Sequence, residues 1–440
     1  MLQVIGPYGL KKAPRLAGGW LLYNYIITKL KGGKTMSASL KLNFAGIDFI
    51  NPFILSSAPP TNSREMIERA FEEGWAGAII KTLAYDLKQT QNVNPRISAV
   101  KHNNMIIGFT NCELGSTKSV DVWLEDIVKI KKNYPQNVLM ASLLHTEGLV
   151  EKQWKEVAKK CEEAGVDGFE LNFSCSHGMA ESGGGSSIGE NEDLIKKVIS
   201  WVKDTTCLPV MVKFNAMVSN ISQKVLVAKE SGADAVSGIN TIRSLNGIDI
   251  YNFIPYPQVD GESCFSGYSG AAIKPIGLRF VAQIAKDVNI PISGIGGITN
   301  WKDAAEYILV GASTLQVCSA VMYNGYKIIK SLTQGLQKYM DKMGFNEIKD
   351  FVGLALPKIK RHNDLNRNYK LVSTVDLDNC NGCGMCSIAC RDSGYQAITM
   401  SDSNKPIISE DKCDGCGLCH SICPKDCIML IRRKMRNDVM

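Results

Sequence analysis

The chain has 440 residues, 45% of them apolar and 21% charged, and a net charge of +7. That balance fits a globular protein with one large domain and a small one. It holds no run near the roughly 18 apolar residues of a membrane span, and its dispersed charge gives no basic face for nucleic acid.

Residues 1–35 differ from the rest and read as a leader, either disordered or upstream of the true start. Trp20–Ile27 is a short apolar stretch flanked by Lys and Gly, without a small-residue cleavage site. Met36 precedes a clean domain start, and residues 36–343 alternate short apolar runs with amphipathic ones. The predicted strands are Phe53–Ser57, Ala78–Thr82, Val138–Ser142, Phe169–Phe173, Val210–Phe214, Ala235–Ile239, Ile292–Ile295 and Leu315–Cys318. Continuous apolar runs of this length suit parallel strands covered on both faces. Helices are predicted over Met66–Glu73, Val150–Ala164 and Leu194–Thr205, with glycine stops at Gly74, Gly165, Gly232 and Gly311. Eight strands with intervening helices predict an α/β fold, a (β/α)8 TIM barrel. A doubly wound sheet is the alternative, weakened because no G-x-G-x-x-G follows an early strand.

In such a barrel the chemistry gathers at the C-terminal ends of the strands. Several predicted strands end in polar or ionisable residues: Lys81-Thr82, Asn172 to Cys175, Lys213, and Asn240-Thr241. The seventh runs into Gly296-Gly297 and the eighth ends at Cys318-Ser319. Glycines there let backbone N–H groups approach a phosphate. Beside Lys213, a flavin phosphate site fits better than a plain turn.

Residues 344–370 carry little periodicity and read as a linker or packing segment. Residues 371–431 then hold two copies of one spacing, C-x2-C-x2-C-x3-C: Cys380, Cys383, Cys386, Cys390 and Cys413, Cys416, Cys419, Cys423, the last followed by Pro424. This is the spacing of a small ferredoxin-like α+β domain with two [4Fe–4S] clusters. The fourth cysteine of each run ligates the other cluster. Cluster 1 is therefore assigned Cys380, Cys383, Cys386 and Cys423, and cluster 2 Cys413, Cys416, Cys419 and Cys390. Zinc prefers paired C-x2-C halves, and a disulfide scaffold suits a short secreted chain. Fifteen cysteines, eight of them cluster ligands, place the protein in a reducing compartment, the cytoplasm. A basic tail, residues 432–440, closes the chain.

Taken together these stretches resemble the catalytic, flavin- and iron–sulfur-containing subunit of bacterial NAD-dependent dihydropyrimidine dehydrogenases and, more distantly, dihydroorotate dehydrogenases. The resemblance covers residues 43–431 and rests on Ser56–Pro59, Ile80–Thr82, Asn111–Leu114, Asn172–Cys175, Ser266–Gly270, Lys274–Arg279, Ser293–Gly297, Leu315–Cys318 and both cysteine runs. It implies FMN across the barrel mouth, at Ser57, Lys81, Thr82, Lys213, Gly270, Gly296, Gly297, Cys318 and Ser319. It places a pyrimidine against Asn111, Asn172, Ser174, Asn240 and Thr241, with Glu113 as an orienting group or a salt-bridge partner. A uracil ring offers two carbonyl acceptors and two N–H donors, which carboxamides match.

The expected reaction reduces the C5–C6 bond of uracil or thymine, or runs in reverse, with hydride from FMN N5 and a proton from Cys175. A thiol of ordinary pKa near 8.5 exchanges a proton close to neutral pH, and Cys175 opens a loop with Gly178, Gly183, Gly184 and Gly185 that suits a lid. Cys161, Cys207 and Cys264 read as bystanders. No dinucleotide fingerprint is present, so the resemblance implies a separate FAD- and NAD(P)-binding subunit, or a ferredoxin, as electron donor, and an oligomeric assembly. Two departures bear on specificity: Ser176 stands where relatives commonly have proline, and Phe214-Asn215-Ala216-Met217 follows Lys213. The rival readings are a dihydroorotate dehydrogenase or related ene-reductase, a flavin-dependent reductase of uridine in transfer RNA, and a non-catalytic electron carrier.

Overall fold

The computed structural model describes residues 4–5, 37–85, 90–144, 150–175, 180, 183–393 and 395–433. They form two compact units, one spanning Met36–Ile359 and the other holding Lys360 onward together with Val4–Ile5. Of the predicted leader only Val4–Ile5 is described, and the tail beyond 433 lies outside the described residues.

The larger unit is the predicted barrel. Its strands are β1 Phe53–Leu55, β2 Gly77–Ile79, β3 Val138–Leu143, β4 Gly168–Asn172, β5 Val210–Lys213, β6 Ala235–Gly238, β7 Ile292–Ile295 and β8 Thr314–Val317. All pairings between them are parallel, run in chain order, and close from β8 back to β1. Among the described residues, eight helices of nine residues or more cover the outside: α1 Arg64–Glu73, α2 Val120–Asn133, α3 Glu151–Ala164, α4 Glu192–Lys203, α5 Ile221–Glu230, α6 Lys274–Asp287, α7 Trp301–Leu309 and α8 Ile328–Met343. Local chemistry sets their ends. The Ser63 hydroxyl caps α1 by accepting from Met66 N, Asn300 caps α7, and Gly74 and Gly165 close α1 and α3 in left-handed backbone.

Burial explains why the strands read as solid apolar runs. Every residue of all eight is buried, because side chains alternate between the barrel interior and the helix layer. A hairpin, Leu42–Phe44 with Ile47–Phe49, plugs the N-terminal end, where Phe44 and Phe49 pack with Ile54, Met140 and Met211. The opposite end carries two insertions that sequence reasoning did not anticipate. Ile97–His102 and Met105–Asn111 follow β2, Ile242–Ser244 and Ser266–Ser269 follow β6, and the four pair into one antiparallel sheet.

In the smaller unit Lys370–Val375 pairs antiparallel with Ile428–Arg433, whose other edge takes Val4–Ile5. A second hairpin joins Ile398–Met400 to Pro406–Ile408. The cysteine runs pass through matching glycines of positive φ, Gly382 and Gly384 in the first and Gly415 and Gly417 in the second. Each run then enters a short helix, Met385–Asp392 or Leu418–Ser421. Among the described residues, no helix is long and apolar enough to cross a membrane.

Candidate functional site

The C-terminal ends of the strands open into a cavity of about 1140 Å³, counting the part open to solvent. This is ample for a cofactor and a small substrate together. Fourteen of the fifteen barrel residues singled out in the sequence line it: Ser57, Lys81, Thr82, Asn111, Asn172, Cys175, Lys213, Asn240, Thr241, Gly270, Gly296, Gly297, Cys318 and Ser319. The inserted sheet builds part of the wall, through Ile97, Phe109 and Asn111.

Ser174 is the exception. It is fully buried and holds the carboxamides from behind: its Oγ donates to Asn172 Oδ1 at 2.7 Å and accepts from Asn240 Nδ2 at 2.9 Å. Asn172 in turn donates to Thr82 Oγ1 at 3.3 Å, and Thr82 bonds Ser57 at 3.0 Å and Ser142 at 2.9 Å. Asn111 donates to Gly267 O at 3.1 Å. Each carboxamide is thereby oriented through one of its two N–H bonds, so the other can serve a ligand.

Two buried lysines bring positive charge to the floor. Lys81 Nζ lies 3.5 Å from Glu113 Oε1, which also pairs with Arg96 Nε at 3.5 Å. Burial pulls the Lys81 ammonium below its ordinary range, against the opposing pull of Glu113 and of the Cys318 and Cys175 sulfurs. Lys213 Nζ lies 3.4 Å from Glu170 Oε2. Glu170, with no exposed surface, also accepts from Ser237 Oγ at 2.7 Å and Gln316 Nε2 at 2.8 Å. Gln316 Oε1 is buried without a partner, although the residue lines the cavity. Burial raises the Cys318 thiol to about 11, opposed by Lys81 and Lys213.

Glu170, Gln316 and Arg96 were not singled out in the sequence. The signal for Glu170 was a lone acid inside an apolar strand, two residues before Asn172. Glu113, for which two roles stood open, is a buried ion-pair partner at the cavity wall.

The seventh-strand loop forms a tight cradle. Gly296 and Gly297 have φ of +121° and +70°, and a Cβ on Gly297 would sit 2.8 Å from Lys274 N and 3.0 Å from Gly270 O. Only glycine gives both the left-handed turn and the close approach that a phosphate needs. With the orphaned Gln316 acceptor and the buried lysines, this cradle fits a flavin mononucleotide. Cys175 sits in an apolar patch with Ala84 and Leu144, and Gly185 leaves room for its carbonyl, which accepts from Ser186 N at 2.9 Å. Ser176, His177 and Gly178 lie outside the described residues. Cys264 lies 3.0 Å from Cys112, sulfur to sulfur.

In the smaller unit the eight run cysteines separate into two groups. Cys380, Cys383, Cys386 and Cys423 line one small cavity, and Cys390, Cys413, Cys416 and Cys419 another. The crossing of the two fourth cysteines follows from each short helix ending beside the other run. Four run thiols at each of two spaces supply the donor set a cubane requires.

Comparison with known proteins bears on both units. Residues 39–340 match the dihydroorotate dehydrogenase family and residues 373–430 match the 4Fe-4S dicluster domain. The chain is 40% identical to the NAD-dependent dihydropyrimidine dehydrogenase subunit PreA of Escherichia coli K12, over 90% of this chain and 96% of that protein. It is 34% identical to the chloroplastic dihydropyrimidine dehydrogenase (NADP(+)) of Arabidopsis thaliana, covering 78% and 83% of the two chains. It is 35% identical to the catalytic subunit of dihydroorotate dehydrogenase B (NAD(+)) from Pyrococcus abyssi, covering 72% and 99%. The chain therefore belongs to the dihydroorotate dehydrogenase family, as an oxidoreductase of the pyrimidine dehydrogenase type whose cofactors are FMN and the [4Fe–4S] clusters of a fused dicluster domain.

Proposed function

We propose that the chain reduces the C5–C6 double bond of uracil or thymine to the 5,6-dihydropyrimidine, or catalyses the reverse, on electrons received through its clusters. The observation that carries this reading is the shared cavity: Cys175 and three oriented asparagines, Asn111, Asn172 and Asn240, line one space with two buried lysines. FMN, when bound, supplies hydride chemistry and exchanges single electrons with iron–sulfur clusters. Ser57, Lys81, Thr82, Lys213, Gly270, Gly296, Gly297, Cys318 and Ser319 would hold it, with the Gly297 cradle taking the phosphate.

The chain's own residues then divide the work. Asn111, Asn172, Asn240 and Thr241 hydrogen-bond the ring carbonyls and N–H groups, and Ser174 keeps two of the carboxamides facing the ring. A site built on such bonds rejects rings that leave them unpaired. Cys175 holds the proton for C5 at its Sγ and recovers it in the reverse direction. Apolar Ala84, Leu144 and Leu114 pack around it.

The electron source would be an NAD(P)H-oxidising partner subunit, with a ferredoxin as the other candidate. Support comes from the first relative, described as an NAD-dependent enzyme's subunit, and from the cluster domain's function as a single-electron relay. A second reading, a dihydroorotate dehydrogenase, is favoured by the likeness to the Pyrococcus catalytic subunits. Anaerobic assays with reduced viologen as donor separate the two. Turnover of uracil or thymine but not orotate supports the first reading, and turnover of orotate alone overturns it.

A further inference from the structure

The two halves of the cluster unit are copies, and at one position they differ in a way that adds a thiol. After each run a strand begins at an isoleucine, Ile398 in the first half and Ile428 in the second. The residue just before is Ala397 in the first half and Cys427 in the second. Both are buried, and both line the cavity of the fourth cysteine of their own run: Ala397 with Cys390, Cys427 with Cys423. Ala397 contributes only a backbone N–H, to Cys390 Sγ at 3.3 Å. Cys427 places its own sulfur 3.4 Å from Cys423 Sγ. One cavity is thus walled by four cysteines and the other by five.

A small buried thiol is ordinary packing. A thiol in contact with a cluster-ligand sulfur, in the wall of the space the cluster would fill, is a potential iron ligand, because iron in these clusters takes thiolate sulfur. We propose that Cys427 is a reserve ligand of the cluster assigned to Cys380, Cys383, Cys386 and Cys423, able to take over the iron of Cys423. The inference rests on that ligand assignment.

The exchange balances without an external reagent. The iron–Sγ bond to Cys423 breaks and an iron–Sγ bond to Cys427 forms. The proton of the Cys427 thiol passes to the Cys423 sulfur beside it. Charge and electron count are unchanged, so the cluster keeps its oxidation state. The span is short: one turn, closed by Asp426 N donating to Cys423 O at 3.2 Å, separates Cys423 from Cys427. The other cluster has no such provision, because an alanine occupies the matching place.

The test is iron content and low-temperature EPR of the full chain, purified and reconstituted anaerobically. C423A is expected to keep about eight irons and both reduced-cluster signals, whereas C423A/C427A loses about four irons and one signal. C416A, a ligand variant of the other cluster, is expected to lose a cluster outright, with the flavin content of all variants reporting an intact barrel. C427A alone is expected to keep eight irons. Loss of one cluster in C423A to the same degree as in the double variant would overturn the proposal. So would loss of a cluster in C427A, which would make Cys427 a resident ligand. A parent protein that fails to bind eight irons would instead overturn the ligand assignment beneath it.

Discussion

The buried ion pair of Lys213 and Glu170 sets a quantitative expectation for the barrel floor. Glu170 has no exposed surface, and the Lys213 side chain is 5% exposed. The carboxylate collects three donors: Lys213 at 3.4 Å, Ser237 at 2.7 Å and Gln316 at 2.8 Å. Glu170→Gln keeps the shape, removes the charge and turns one acceptor into a donor facing donors. Breaking one side of a buried pair costs about 3–5 kcal/mol, mostly because the remaining charge is left without compensation. At about 2 °C per kcal/mol for a domain of this size, the barrel's melting temperature should fall by roughly 6–10 °C. Emission from the fully buried Trp75 and Trp123 reports the transition. The companion double variant E170L/K213M, with both charges replaced by apolar groups, should cost less than E170Q in the same flavin-stripped state, since no charge is stranded. A melting temperature for E170Q within 2 °C of the parent would refute the reasoning, because the pair would then be hydrated rather than buried.

Three further outcomes follow from the same geometry. Cys175→Ala should retain flavin and iron in full while uracil turnover falls by about 10²–10⁴-fold, the usual span for a lost general acid; steady-state assay and cofactor analysis on one preparation check both halves. Gly297→Ala forces a Cβ to 2.8 Å from Lys274 N in left-handed backbone, so flavin per chain, read by absorbance, should drop sharply with the clusters intact. Alkylation by iodoacetamide at pH 8 should mark exposed Cys207 early and spare Cys318, whose thiol burial lifts to about 11. Only about one part in 10³ of such a thiol is ionised at pH 8, so its rate should rise roughly tenfold per pH unit until pH approaches that value, as peptide mass spectrometry can follow.

The barrel was legible because burial on both faces writes each strand as an unbroken apolar run, so that polar residues stand out where the strand ends. Predicted and observed limits agree closely: Ile292–Ile295 is unchanged, and Phe169–Phe173 is observed as Gly168–Asn172. The cover sheet was not legible. Its strands are half-exposed, mix Gly, Ser and Lys with apolar residues, and take their pairing from partners far away in sequence, so neither period nor composition marks them. Glu170 was hidden for another reason. A single acid in a strand gains meaning only in register, where Met211 lies opposite Glu170 and Lys213 opposite Asn172 on the next strand. Two helices start two residues before their predicted first residues, Met66 and Leu194, because Ser63 and Asn191 cap them there. The two cysteine runs were readable as runs, since a cubane dictates ligand spacing directly, and each small cavity gathers four of their thiols. Cys427 lay outside that pattern and is visible only through its neighbour.

The cover sheet also dictates when the cavity can exist during biosynthesis. Its central pairing sets Asn111 beside Gly267, 156 residues later in the chain. At about 5–20 residues per second, the ribosome takes roughly 8–30 s to supply that partner. Until then the strand Met105–Asn111 keeps an unpaired edge, with Met105 and Ile106 exposed even in the finished fold. The cradle at Gly297 and the polar ends at Cys318 and Ser319 emerge later still. Nascent chains should therefore extend past Ser319 before they can retain flavin, which makes the waiting hairpin the segment most in need of a chaperone.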